Sequence, residues 1–323
     1  MKQKRILVGV GAGIIGVVIT IALTQYGTTQ DEPQITAQEP SKIKVIASFY
    51  PLYEFSKNVG GQTADVSTFT PIGIEPHDWE PSTGDLLELK GADIFVYNGA
   101  GMEPFVEKLL DSGEYQNVLF VETVHQIDLI KTKDDEHSEE NEEHSNDLPY
   151  DPHVWLDPIL AKRQVETIKN AMIQVDPNNA QHYENNAARY LADLDALDSK
   201  IVAELSECKK DTIVTFHTAF SYFANRYGIK TFALSGVAPE SEATASDLKN
   251  IMDFIKENDI NVIFAEELID PKLVTALAEE GGVQVLTLSP LEGLSKEELA
   301  KGTTYLDKME ENLQNIKIAL ECQ

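Results

Sequence analysis

Three histidines stand in short segments of similar build: Ile74-Glu75-Pro76-His77-Asp78-Trp79-Glu80-Pro81, Asp151-Pro152-His153-Val154-Trp155-Leu156-Asp157-Pro158 and Thr215-Phe216-His217-Thr218-Ala219-Phe220. The two tryptophans of the chain, Trp79 and Trp155, each follow one of these histidines by two residues. Imidazole is the commonest side-chain metal ligand. Histidines this far apart meet only through folding, so the pattern predicts a metal centre assembled from distant segments. Asp78, Glu80 and Asp157 are candidates to accept a hydrogen bond from the outer N–H of an imidazole. Trp79 and Trp155 are expected to pack, hold the histidine loops and exclude water. His125 and His182 lack such surroundings and are expected to be structural or exposed.

The elements that must position these residues alternate along the chain. Short apolar runs at Lys44–Phe49, Ala64–Thr70, Asp93–Tyr97 and Val118–Val121 read as strands separated by helical patterns. Ser82 with Asp85 three residues on is a capping signal for a helix that stops near Gly91. The rhythm restarts with strands at Thr212–Phe216, Lys230–Leu234, Asn261–Ala265 and Gln284–Leu288, and with helices around Phe220–Tyr227, Ser246–Glu257, Pro271–Glu280 and Thr304–Leu320. Such alternation predicts βαβ units and mainly parallel sheets.

Between the two sets lies a stretch from Asn179 to Glu207 without Gly or Pro, with Tyr190, Leu191, Leu194, Leu197, Ile201, Val202 and Leu205 at helical spacing. The predicted fold is therefore α/β: two lobes, each with a roughly four-stranded mainly parallel sheet, joined by a long rigid helix. The expected boundaries are 1–41 for an N-terminal segment and linker, 42–178 for the first lobe, 179–207 for the linking helix and 208–323 for the second lobe.

Strand placement sharpens the metal reading. His77 follows the second strand and His153 the fourth, while His217 ends the first strand of the second set. Ser289-Pro290-Leu291-Glu292-Gly293 follows the last strand of that set. Ligands of open α/β sheets bind beyond the carboxyl ends of strands, so facing lobes would bring all four segments to one cleft. Three imidazoles with Glu292 make a four-coordinate nitrogen and oxygen set, which suits zinc in tetrahedral geometry. Glu75, Glu266 and Glu267 are rivals for the fourth position.

The remaining sequence bounds the setting. A formal net charge of −28 argues against a nucleic-acid partner. Met1-Lys2-Gln3-Lys4-Arg5 is basic and precedes an uncharged run from Ile6 to Leu23, close to the ~20 residues that span a bilayer. That segment reads as an uncleaved anchor or a signal peptide with its positive end inside, placing the rest outside the cytoplasm. No cysteine follows the run closely; Cys208 and Cys322 are the two in the chain, and pairing between them is left open. Residues 131–150 include Asp134-Asp135-Glu136-His137-Ser138-Glu139-Glu140-Asn141-Glu142-Glu143-His144, a charge density that favours a solvated loop. His137 and His144 could collect metal ions weakly.

The motifs Glu75-Pro76-His77-Asp78-Trp79-Glu80-Pro81-Ser82, His153-Val154-Trp155-Leu156-Asp157-Pro158 and Phe216-His217-Thr218-Ala219-Phe220 resemble those of the zinc/manganese-binding proteins of ABC importers, the cluster A-I group. The resemblance covers roughly Ile43 to Leu320, in the family's motif order. It implies metal ligands at His77, His153 and His217, capture of the ion outside the membrane and delivery to an ABC permease. It implies Zn²⁺ over Mn²⁺, because manganese-type members usually carry Glu at the third place. Many members have an Asp near Ser289 as fourth ligand; here the chain departs, and Glu292 matches the glutamate that some zinc members use. The protein is expected to be a non-enzymatic monomer. Two other readings stand beside this one: a zinc-containing adhesion or surface interaction protein, and a zinc hydrolase with a bound water and Glu266 as general base. No nucleophile motif or substrate-pocket signature accompanies the latter.

Overall fold

The structure is a computed structural model. It describes residues 42–71, 73–132, 148–233, 245–266, 275 and 278–323, and for 245–248 the backbone alone. The N-terminal anchor expected within 1–41, the centre of the acidic segment with His137 and His144, Glu267 and most of the helix expected over Pro271–Glu280 lie outside the described residues. Among those described, no helix is long and apolar enough to cross a membrane.

Pro40–Gln323 forms one compact unit. It opens with β1 (Ile43–Ala47), α1 (Tyr50–Gly60), β2 (Ala64–Thr68), α2 (Thr83–Leu89), β3 (Ile94–Tyr97), α3 (Val106–Ser112) and β4 (Leu119–Glu122). These strands build a four-stranded parallel sheet in the order β2-β1-β3-β4. β3 (Ile-Phe-Val-Tyr) is buried at three of its four positions, as expected of a central parallel strand covered on both faces. Ser82 and Asp85 form a reciprocal capping box at the start of α2, as their spacing predicts.

Two helices follow: the first packs on β3 and β4, and the second packs on the first and on α1. α4 (Pro158–Val175) starts at Asp157, whose side chain accepts from the Ile159 and Leu160 backbone N–H groups, with Pro158 in the first turn. α5 (Ala180–Glu204) has 25 residues, about 38 Å at 1.5 Å per residue. Its buried stripe is Tyr183, Ala187, Tyr190, Leu194, Leu197 and Ile201, the i, i+3/i+4 spacing that its sequence displays.

The second set comprises β5 (Thr212–Thr215), α6 (Ser221–Tyr227), β6 (Lys230–Ala233), α7 (Ala245–Glu257), β7 (Val262–Ala265), β8 (Gln284–Thr287), α8 (Lys296–Lys301) and α9 (Tyr305–Ala319). Its strands are parallel as expected, but they form two pairs, β5–β6 and β7–β8, rather than one four-stranded ladder. Side-chain packing joins the pairs: Val214 and Phe216 share an apolar cluster with Ile263 and Ala265.

One hydrophobic core runs through both strand sets, from Val45 and Ile94 through Tyr190 and Leu194 to Phe264 and Leu313. Cys208 and Cys322 form a disulfide that ties the segment after α5 to the C-terminus.

Candidate metal centre

The segments with His77, His217 and Glu292 leave the carboxyl ends of β2, β5 and β8, and His153 lies 31 residues beyond the end of β4. The loop after β2 carries His77 and closes at the α2 capping box. His77 also has its backbone N–H bonded to Glu75 Oε1, at 3.3 Å. His153 sits before a single 3-10 turn, Val154–Leu156, squeezed against the Asp157 cap of α4. His217 follows β5 directly and precedes α6.

The loop after β8 is built without regular secondary structure, and its backbone groups are met one by one. Asn315 Nδ2 donates to Thr287 O and Asn312 Nδ2 to Ser289 O, while the Ser289 N–H donates to Asn312 Oδ1. Trp155 Nε1 donates to Pro290 O at 2.7 Å, and the Leu291 N–H donates to Ser289 Oγ at 3.2 Å. Leu291 has φ +59° and is fully buried. A left-handed conformation for a branched residue costs about 1–3 kcal/mol and persists where the surroundings over-determine it. The turn aims Glu292 inward.

The four side chains meet. His153 Nε2 lies 3.4 Å from His77 Nε2 and 3.4 Å from His217 Nε2. Glu292 Oε1 lies 3.0 Å from His153 Nε2, 3.5 Å from His77 Nε2 and 3.6 Å from His217 Nε2. All four residues are buried, with His153 and His217 fully so. Ligands about 2.0–2.1 Å from a tetrahedral zinc ion stand about 3.3–3.4 Å from one another, so His153 and Glu292 lie near that spacing from each other and from His77 and His217. Among the described residues, the group whose donor atoms all lie within 4.8 Å of one another is His77, His153 and Glu292, with His217 beside His153 and Glu292 but outside that group.

Two further carboxylates hold the outer faces of the imidazoles. Asp151 Oδ1 accepts from the His153 Nδ1–H at 2.8 Å and from its backbone N–H at 2.9 Å. Glu266 Oε1 accepts from the His217 Nδ1–H at 2.6 Å and from its backbone N–H at 3.3 Å. These bonds turn both Nε2 lone pairs toward the common centre.

The sequence offered Asp78, Glu80 and Asp157 as acceptors for imidazole N–H groups and Glu266 as a rival for the fourth position; Glu266 lies against His217, and His153 is met by Asp151. Asp157, four residues beyond His153, spends its carboxylate on the α4 cap and on Arg226. Asp78 is exposed. Asp151 was the missed residue, and its signal was available: an Asp two residues before a histidine reaches both that residue's backbone N–H and its side chain. Trp155 packs edge-on against Phe49, and Trp79 against Phe69 and Phe105. His125 and His182 are exposed.

Charge is distributed unevenly over the centre. Burial opposes ionisation of Glu292, yet hydrogen bonds from His153, His217 and His77 hold its carboxyl well below the usual range. Burial and the Glu292 charge push the neighbouring Glu75 carboxyl up to about 9, and it hydrogen-bonds Glu292. Burial lowers His77. In His153 burial is outweighed by Asp151 and Glu292, and in His217 by Glu266 and Glu292, so both imidazoles are raised.

Residues 45–319 match the family model described as zinc-uptake complex component A, periplasmic. The chain belongs to this family. Among the family's curated members, the high-affinity zinc uptake system protein ZnuA of Bacillus subtilis is 38% identical over 280 residues, covering 86% of this chain and 88% of that one. The family also includes longer proteins: this chain spans 56% of the zinc-binding lipoprotein AdcA of Streptococcus pneumoniae. The Zn(II)-bound ZnuA-like domain of that AdcA superposes with a TM-score of 0.75 at 35% identity, covering 87% of this chain and all of the other. The laminin-binding protein Lmb of Streptococcus agalactiae, described as bifunctional with adhesin and metal-transporting activity, has a TM-score of 0.76 at 32% identity, with 87% and 100% covered.

Proposed function

We propose that this chain captures Zn²⁺ outside the cytoplasmic membrane with His77, His153, His217 and Glu292, and passes it to the permease of an ABC importer. The convergence of three Nε2 atoms and one carboxylate oxygen carries this reading. Imidazole with a single carboxylate suits Zn²⁺, whereas oxygen-rich octahedral sets suit Mn²⁺. Three neutral imidazoles and one carboxylate leave a single positive charge on a zinc complex, and Asp151 and Glu266 lie directly behind the rings to balance it. A shell of four protein donors suits holding and transfer; catalytic zinc keeps a position for water. The protein therefore works as a carrier and not as a hydrolase.

The strand sets on either side of α5 act as the two lobes, with boundaries near 178 and 208. The uncharged run at 6–23 tethers a monomer to the membrane, and His137 and His144 of the acidic segment collect ions weakly. Calorimetric titration tests the site. The purified protein is expected to bind one Zn²⁺ tightly, and the His77→Ala, His153→Ala double variant to lose that event. An unchanged titration in the double variant rejects the site.

A second role in adhesion is favoured by the likeness to Lmb. Zinc-loaded protein should then bind immobilised laminin in surface plasmon resonance; no response at micromolar concentrations removes this role.

A further inference from the structure

The four donors do not arrive at the centre on equal terms. His153 and His217 are held by carboxylates on their outer nitrogens, and the His77 backbone N–H is bonded to Glu75. Glu292 accepts from the imidazoles but hangs from a turn whose Leu291 stands at φ +59°. Nothing intrinsic to Leu291 favours that conformation, so the position of the carboxylate is decided by whatever holds Ser289 to Leu291.

Trp155 Nε1 holds the Pro290 carbonyl, and the support of Ser289 is the side chain of Asn312, buried on α9 and 20 residues downstream of Glu292 in sequence. Its amide bridges both backbone groups of Ser289: Oδ1 accepts from Ser289 N–H at 2.8 Å and Nδ2 donates to Ser289 O at 2.7 Å. With Ser289 fixed, its Oγ accepts from the Leu291 N–H and closes the turn. An amide is the one neutral side chain that supplies a donor and an acceptor in this paired arrangement. Ser289 is thereby a turn residue rather than a metal donor.

We infer that Asn312, acting through Ser289, is the positioning residue that presents Glu292 as the fourth donor and so sets the preference for a small tetrahedral ion. The inference rests on the zinc-capture reading and extends it to selectivity. Loss of the clamp frees the turn to relax from φ +59°, moves the carboxylate and leaves a three-imidazole site. Such a site still binds Zn²⁺, but with the reduction expected when an outer support is lost, about 10–100-fold. Mn²⁺, which relies less on one fixed tetrahedral position, should lose less.

Asn312→Ala and the milder Ser289→Ala are made in the full chain, with Gln314→Ala on the exposed side of α9 as control. Zn²⁺ and Mn²⁺ affinities are measured by chelator competition, and Co²⁺-loaded protein is recorded for its d–d absorption, which reports coordination geometry. Thermal melts establish that each variant is folded. The expected result is about a 10–100-fold weaker Zn²⁺ affinity, a Zn²⁺/Mn²⁺ ratio narrowed at least fivefold and a changed Co²⁺ spectrum in both variants, with the control matching the parent protein. Folded Ser289→Ala and Asn312→Ala proteins with parental Zn²⁺ affinity and Co²⁺ spectrum overturn the inference. So does a Zn²⁺/Mn²⁺ ratio that stays constant while both affinities fall, since that marks a merely structural residue. Failure of the zinc reading itself is seen separately, as zinc binding that survives the His77→Ala, His153→Ala substitutions.

Discussion

Replacing Asp151 by alanine isolates what a carboxylate that never touches the metal contributes to binding it. Asp151 is buried and accepts two N–H groups of His153, from Nδ1 at 2.8 Å and from the backbone at 2.9 Å. The backbone bond is present with or without zinc, so its loss largely cancels in the affinity. The Nδ1 bond does not cancel. A neutral hydrogen bond contributes about 1 kcal/mol and one to a charged group about 1.5–3 kcal/mol, and zinc at Nε2 moves the ring toward the charged case.

Asp151 also fixes the tautomer: with its acceptor gone, the ring proton is free to occupy Nε2, the atom that must bind. Together these place the loss at about 1.4–2.7 kcal/mol, or ~10–100-fold in Kd. The metal-free protein should lose a little stability, because two buried N–H groups of His153 lose their acceptor. Asp151 Oδ2 is buried and makes no hydrogen bond among the described residues, so removing the carboxylate also removes a desolvation cost that partly offsets this loss. Chelator-competition titration gives the Kd, and calorimetry with and without Zn²⁺ gives the two melting temperatures. The expected pattern is a metal-free Tm within a few degrees of the parent and a smaller zinc-induced rise; Asp151→Asn, which keeps an acceptor, should lose no more than about tenfold. A folded Asp151→Ala protein with parental Kd refutes the reasoning.

Other outcomes are equally accessible. In the metal-free protein His153 and His217 are raised above the ordinary ~6.5 and Glu75 reaches about 9. The folded chain thus holds more protons than the unfolded chain above about pH 6.5, and stability falls as pH rises. The metal-free Tm should therefore drop between about pH 6.5 and 8.5 while zinc affinity climbs, because the metal takes neutral imidazole; calorimetry showing a flat or rising metal-free Tm contradicts this. The Cys208–Cys322 bond spans 114 residues, so Cys322→Ser should cost about 5 kcal/mol and lower Tm by about 8 °C without changing zinc affinity. A Tm shift under 2 °C, read by calorimetry, argues otherwise. Deleting 134–145 should abolish any second, weaker zinc event in titration, and a surviving event places the collector elsewhere.

Residue pattern alone determined the eight strands to within about two residues at each end, the cap at Ser82 and the long helix over Ala180–Glu204. These rest on local physics: apolar periodicity, capping chemistry and the absence of helix breakers act over a few residues. That His77, His217 and Glu292 would lie on the side of His153 was legible too, because strand carboxyl ends share one side of a parallel sheet. What the tertiary structure decided lies in loops without periodicity. Asp151 and not Asp157 meets His153, since the α4 cap and Arg226 claim Asp157. Cys208 meets Cys322 because α5 and α9 end together. Glu292 reaches the centre through a left-handed Leu291 held by Asn312 and Trp155. Each of these pairs residues that compete for one partner or are separated by long stretches of chain, and only the packed backbone chooses among them.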